Sequence, residues 1–115
     1  MNEDTLARLG ETLAARRDAD PATSYTAALL QGGDARILRK VGEEATEVVL
    51  AGTGTDTNAL VHEVADLWYH TLVLLAQRGL GPDAVLAALE QRRGVSGHEE
   101  KTTRPASSPD AAGQR

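Results

Sequence analysis

The sequence contains no cysteine, so disulfide bonds and thiolate metal ligands are both excluded. Because there is no thiolate, any bound metal must be held by oxygen or imidazole ligands, and a set of oxygen ligands favours magnesium or manganese. The sequence also lacks phenylalanine, and aromatic residues make up only 3% of the chain, so leucine, alanine and valine carry the apolar content.

Positive charge is in the minority, and long apolar runs are missing. Lys and Arg together number 12 against 17 Asp and Glu, which gives a formal net charge of -5 at pH 7. This balance argues against nonspecific binding to nucleic acid or to anionic membranes. No segment has the apolar length of a signal peptide or of a membrane span of about 20 residues, so we expect a cytoplasmic protein.

The length of 115 residues is enough for one domain with a single layer of packing. Domains of this size bury only about 60–65% of the surface that the extended chain exposes. We therefore expect a second copy to cover part of the apolar helix surface, in a homodimer or a higher homo-oligomer.

Apolar residues recur with helical spacing, as in the stripe of Leu6, Leu9 and Leu13, and the pattern predicts an all-α fold. We expect Asp34 to cap the third helix and Asp56 or Thr57 to cap the fourth. A short Gly- and Thr-rich link between these two helices favours an antiparallel hairpin. The pattern predicts one domain over residues 1–103, a disordered tail over 104–115, and five helices over residues 4–17, 25–31, 34–51, 57–78 and 82–93.

Four carboxylates border the apolar faces of the third and fourth predicted helices. On a helical wheel Glu44 falls inside the apolar stripe of the third helix and Glu47 at its margin, while Glu63 and Asp66 lie along one edge of the fourth. In a hairpin the two edges can meet, and close carboxylates repel strongly where the effective dielectric is low. A hard divalent cation would relieve that repulsion. The pattern alone leaves a solvated helix face equally open.

Several blocks of the sequence resemble a known family. Glu43-Glu44-Ala45-Thr46-Glu47 followed by Glu63-Val64-Ala65-Asp66 is similar to the paired E-E-x-x-E and E-x-x-D signature of the MazG-type all-α nucleotide pyrophosphohydrolases. The closer resemblance is to the phosphoribosyl-ATP pyrophosphatases, and it extends over about residues 6–104. It rests on ordered blocks at residues 24–26, 40–44, 65–70 and 92–101.

The resemblance implies a MazG-like bundle of about five helices, completed by dimerisation, that binds magnesium through Glu44, Glu47, Glu63 and Asp66. The implied reaction splits the α,β-phosphoanhydride of phosphoribosyl-ATP and yields phosphoribosyl-AMP and pyrophosphate, the second step of L-histidine biosynthesis. We expect one of the four carboxylates, with Glu47 as one candidate, to orient or deprotonate the attacking water.

The candidate substrate-binding residues are Lys40, His70, Arg92, Arg93 and Lys101. Lys40 either meets a phosphate oxygen or forms an ion pair with Glu44, and His70 either touches the substrate or is only hydrogen-bonded in place. Two other functions stay open: a general (d)NTP pyrophosphohydrolase of the same fold, and a noncatalytic helical dimerisation module.

Overall fold

The computed structural model describes residues 4–94, and within that range the chain forms α-helices and no β-strand. The predicted all-α fold is confirmed, and each predicted helix end lies within one residue of the observed one. The predicted tail over residues 104–115 lies outside the described residues. The helices are α1 (Thr5–Arg16), α2 (Tyr25–Gln31), α3 (Asp34–Gly52), α4 (Thr57–Gln77) and α5 (Pro82–Arg93).

The start of α3 differs from the prediction by one residue, because Gly33 and not Asp34 is the N-cap. Gly33 has φ 95° and ψ 170°, a backbone conformation that residues with a side chain rarely adopt. Asp34 is instead the first helical residue, where its negative charge is favourable near the helix N-terminus. Its Oδ2 also accepts a hydrogen bond from Nη2 of Arg78 at 2.8 Å, which links the start of α3 to the end of α4.

The helices α3 and α4 form the most extensive helix pair of the described residues, joined by a four-residue link. Asp56, the last residue of that link, caps α4 by accepting a hydrogen bond from the backbone N–H of Ala59 at 3.1 Å. At the other end of α4, the backbone N–H of Leu80 donates to the carbonyl of Leu75 at 2.8 Å, and Gly79 has φ 76°. Both ends of α4 are therefore fixed by local hydrogen bonds.

The apolar core lies at one end of this hairpin, where α1 and α2 also contact α4. From Ile37, which is fully buried on α3, seven residues along the chain lead to Glu44. From Val73, which is fully buried on α4, seven residues back lead to Asp66. Since seven residues are about two helical turns, the antiparallel register that packs the core also places the acidic residues of both helices at one level. The buried core residues are Leu13, Leu29, Leu30, Ile37, Leu72, Val73 and Ala76.

The buried surface of α4 includes Leu72, Val73 and Ala76, because α1 and α2 cover that side of the helix. Trp68, on the same helix, is 57% exposed in the single chain. Further large apolar side chains on the hairpin are also exposed, namely Leu38, Val49, Leu50 and Val61.

A close approach between α1 and Pro82 requires glycine at position 10. A Cβ atom added to Gly10 would lie 2.5 Å from Cδ of Pro82, which is buried. Any side chain there would displace the proline ring, so the absence of a Cβ permits this contact.

The chain divides into two compact units, Met1–Asp83 and Ala84–Arg115, and the first contains α1 to α4. The prediction of one domain over residues 1–103 stays a prediction. Within residues 4–94, no single helix has the length and apolar content of a membrane span. The helices α4 and α5 have them only when they are counted together, with a bend of 114° between them.

Ser24 should contribute measurably to stability. It is buried, and its Oγ accepts hydrogen bonds from the backbone N–H of Ala27 at 3.1 Å and from Nη1 of Arg16 at 3.3 Å. We expect Ser24→Ala to lower the free energy of unfolding by about 1–2 kcal/mol, measured by urea denaturation. Thr23→Ala is the matched control, because Thr23 is exposed, and it should cost less than about 0.5 kcal/mol. Equal losses in the two variants would contradict the assigned role of the cap.

Candidate metal centre

Three carboxylates converge at the middle of the α3–α4 hairpin. Glu44 on α3 and Glu63 and Asp66 on α4 each offer an oxygen atom, and these three atoms all lie within 4.8 Å of one another. The side chain of Glu44 is only 13% exposed, Glu63 is half-buried and Asp66 is exposed. We refer to these three residues as the carboxylate cluster. It is open to solvent on one side and closed by the helix pair on the other.

Partial burial and neighbouring negative charges together raise the pKa of Glu63 above its ordinary value of 4.5. Partial burial is the largest cause, followed by the charges of Glu47, Asp66 and Glu44, while His62 acts in the opposite direction. The ionised form of Glu63 is therefore destabilised by its surroundings, and a nearby cation would reverse that effect.

Glu47 lies beside the carboxylate cluster and is not one of its three members. Its side chain is exposed one turn after Glu44 on α3, and its charge is the largest charge effect on the pKa of Glu63. The structure thus brings together three of the four predicted metal ligands and places the fourth close by. Glu43 is not a member of the cluster, and 54% of its side chain is exposed.

Lys40 stands at the edge of the carboxylate cluster, one turn before Glu44. Its Nζ lies 3.5 Å from Oε2 of Glu44 and 3.5 Å from Oε1 of Glu43. The phenol of Tyr25 is the largest cause that raises the pKa of Lys40, burial opposes it, and the two glutamates raise it further. The ion pair considered in the sequence analysis is therefore present, and the ammonium group also lies close to the cluster.

His70 is buried next to the carboxylate cluster, with 6% of its surface exposed. Its Nδ1 lies 2.8 Å from the carbonyl oxygen of Asp66 and its Nε2 lies 2.9 Å from the hydroxyl of Tyr25. Both ring nitrogens therefore have protein partners. This geometry favours the alternative in which His70 is hydrogen-bonded in place and does not touch the substrate.

Tyr25 also lies near this site, a position that the family resemblance suggests without assigning the residue a specific role. It belongs to the block at residues 24–26 on which the family resemblance partly rests, and that block was the available signal. Hydrophobic periodicity could not find it, because Tyr25 is the first residue of α2 and reaches α4 across the fold.

Arg92 and Arg93 are the last two residues of α5 and belong to the second compact unit. Arg93 is exposed and forms an ion pair with Glu90 on the same helix, at 2.8 Å. Lys101, the third predicted basic residue of this segment, lies outside the described residues.

The donor set of the carboxylate cluster fits a hard divalent cation. All of its ligand atoms are carboxylate oxygens, the ligands that hard divalent cations prefer, and it lies at the protein surface, where water and substrate oxygens could also reach a bound ion. A cation there would lower the repulsion that raises the pKa of Glu63. The arrangement suits the binding and hydrolysis of a phosphate ester or anhydride.

Comparison with known families agrees with this chemistry. A model of the family described as phosphoribosyl-ATP pyrophosphohydrolase matches residues 6–93. The chain belongs to this family. The match includes all three residues of the carboxylate cluster, together with Lys40 and His70.

Relatives named phosphoribosyl-ATP pyrophosphatase are similar over nearly the whole chain. The protein from Nitrosomonas eutropha is 45% identical over 105 residues, which cover 91% of this chain and 90% of the relative. The protein from Chromobacterium violaceum is 48% identical over 104 residues, or 90% of this chain and 96% of the relative. The protein from Burkholderia vietnamiensis is 49% identical over 115 residues, covering 96% and 95% respectively.

The raised pKa of Glu63 predicts how stability depends on pH in metal-free protein. Between pH 4.5 and the raised pKa, the folded state keeps a proton that the unfolded state has lost, so the free energy of unfolding falls as pH rises through this window. Glu63→Gln should flatten that fall, measured by urea denaturation at several pH values in the presence of a chelator. Glu11→Gln, an exposed substitution on α1, should follow the wild-type profile. A wild-type slope in Glu63→Gln would contradict the assignment.

Proposed function

We propose that this protein hydrolyses phosphoribosyl-ATP to phosphoribosyl-AMP and pyrophosphate, the second step of L-histidine biosynthesis, in the cytoplasm and with magnesium as the metal. The observation that carries the proposal is that the three carboxylates of the cluster converge. They lie within residues 6–93, the part of the chain that matches the phosphoribosyl-ATP pyrophosphohydrolase family. The relatives named phosphoribosyl-ATP pyrophosphatase support the choice of substrate.

Glu44, Glu63 and Asp66 would hold the magnesium ion, with Glu47 as a fourth ligand or as the residue that handles water. When bound, magnesium would neutralise charge on the phosphate oxygens and orient the anhydride. In the step itself, a water oxygen forms a bond to the α-phosphorus and the α,β-anhydride bond breaks. Pyrophosphate leaves with the bonding electrons, and we assign the proton of the water to a carboxylate oxygen of Glu47, which is exposed beside Glu63.

We assign Lys40 to a phosphate group of the substrate. Its ammonium group is already near the carboxylate cluster and carries a charge opposite to that of the phosphate chain. A lysine can turn from Glu44 toward a phosphate oxygen by rotating its flexible side chain. For Arg92, Arg93 and Lys101 the support is their positive charge and the sequence block they share with the family, and we propose that they also bind phosphate.

We also propose that the protein acts as a homodimer or a higher homo-oligomer. The support is the exposed apolar surface of the α3–α4 hairpin, which includes Trp68, Val49 and Val61. Single apolar side chains on a surface are common, but several on one helix pair are typical of a protein interface.

Pyrophosphate release from phosphoribosyl-ATP, compared with a panel of NTPs and dNTPs with and without magnesium, tests the activity. We expect magnesium-dependent release from phosphoribosyl-ATP, and Glu44→Gln or Asp66→Asn should lower kcat/KM at least about 100-fold while circular dichroism stays helical. Glu11→Gln is the control and should keep wild-type turnover. Preference for NTPs would favour the general pyrophosphohydrolase, and no release from any nucleotide would favour a noncatalytic module.

Thermal unfolding tests the metal separately from turnover. At about ten times its Kd, magnesium should raise the Tm of the wild type by roughly 5–10 °C, because it binds the folded state only. The rise should be lost or strongly reduced in Glu44→Gln and Asp66→Asn and kept in Glu11→Gln. Sodium chloride at matched ionic strength controls for simple screening of the acidic residues. An equal rise in all four proteins would show that the ion acts elsewhere.

A further inference from the structure

His70 lies on α4 between the apolar core and the carboxylate cluster. It comes three residues before Val73, which belongs to the core, and four residues after Asp66, which belongs to the cluster. Because three to four residues make one helical turn, the imidazole occupies the turn that separates the two. An apolar side chain of similar size would simply extend the core, so a buried polar ring at this position calls for an explanation beyond packing.

Both nitrogens of His70 are hydrogen-bonded, and they join two different parts of the fold. The carbonyl oxygen of Asp66 can only accept, so the contact at 2.8 Å places a hydrogen on Nδ1. In the neutral ring Nε2 accepts from the hydroxyl of Tyr25 at 2.9 Å, and in the charged ring it donates to the same oxygen. The two hydrogen bonds therefore hold in either protonation state, and they connect the first residue of α2 to the backbone of Asp66.

The bond to Asp66 is not needed to form the helix. An α-helix already pairs each carbonyl oxygen with the backbone N–H four residues later, so the imidazole is an additional donor to the carbonyl of Asp66. What the additional bond determines is the position of this turn of α4 relative to α2, since the other end of the ring is held by Tyr25.

A second contact holds α2 on α4 without leading to the cluster. Thr26 follows Tyr25 on α2, and its hydroxyl is hydrogen-bonded to that of Tyr69 on α4. The ring of each tyrosine meets the imidazole edge to face, with centroids 6.0 Å apart for Tyr25 and 5.5 Å for Tyr69. The two contacts thus join the same pair of helices, and only the contact of Tyr25 continues through His70 to Asp66.

We propose that His70 is a positioning residue: held by Tyr25, it keeps the turn of α4 that carries Asp66 in place beside the rest of the carboxylate cluster. The inference rests on the proposed function, because it takes the cluster as the site of a divalent cation. Carboxylates that repel one another favour any backbone movement that separates them. A turn that is fixed from its buried side resists that movement, so less ordering is left for the binding step.

Titration of the full chain with Mn²⁺, followed by the EPR signal of the free ion, tests this role without substrate, because Mn²⁺ takes the same oxygen ligands as magnesium. We expect His70→Leu to raise the Kd about tenfold and Tyr25→Phe about threefold, as loss of groups that support a metal ligand should. Tyr69→Phe is the matched control. It removes the other hydrogen bond between α2 and α4, and it should lower the Tm and leave the Kd within about 1.5-fold of wild type.

The variant His70→Asn separates the hydrogen bond from the volume of the ring. Its amide can donate to the carbonyl four residues back, as Nδ1 does, but it does not replace the bond to Tyr25. We expect a Kd about threefold above wild type, and no further rise when Tyr25→Phe is added. A Kd as high as that of His70→Leu would overturn the proposal. So would a wild-type Kd in Tyr25→Phe, or equal rises in Tyr25→Phe and Tyr69→Phe.

Steady-state kinetics with phosphoribosyl-ATP distinguishes this inference from the proposed function. The magnesium concentration that gives half-maximal activity should rise about threefold in Tyr25→Phe and about tenfold in His70→Leu, while kcat at saturating magnesium stays within about twofold of wild type. A lower kcat at an unchanged magnesium requirement would contradict a positioning role. If the wild type releases no pyrophosphate, the proposed function fails and the Mn²⁺ titration still decides the role of His70. A wild type that binds no Mn²⁺ would overturn the inference, whichever nucleotide it cleaves.

Discussion

Mutual repulsion among Glu44, Glu63 and Asp66 is the constraint around which the hairpin is arranged. Carboxylates on a free helix surface would turn away from one another into the solvent. Here the packing of α3 on α4 fixes the backbone positions that carry them. Partial burial, as the largest cause, and this repulsion together raise the pKa of Glu63. Part of the repulsion is offset by Lys40, whose positive charge lies beside Glu44 on the same helix.

The same antiparallel register of α3 and α4 determines both the packing of the apolar core and the position of the acidic residues. The side chains of Ile37 and Val73 are buried, and their burial holds the two helices together. About two turns away, the same register crowds the carboxylates. The stability gained in the core can therefore offset the repulsion at the site, and binding of a divalent cation would reduce that repulsion.

Helical periodicity was sufficient to predict the helices and the inward position of Glu44, because both depend on spacing along a single helix. It failed where backbone conformation or contacts between helices determine the position of a residue. The N-cap of α3 is Gly33 because of its backbone conformation, which a side-chain rule for Asp34 does not consider. Trp68 is exposed, and Tyr25 on α2 hydrogen-bonds to His70 on α4; neither fact follows from one helix considered alone. The family resemblance supplied what spacing could not, namely the reaction and the substrate.

The equal spacing of the core and the acidic residues has a consequence for insertions and deletions. Removing one residue between Ile37 and Glu44 would rotate the glutamate by about 100° around the axis of α3 and shift it by about 1.5 Å, while the core could stay packed. The same change at Gly54 or Thr55 would leave the residue spacing within each helix intact, because both positions lie between the two helices. Chain length should therefore be strictly limited within the helices and more free to vary at the turn.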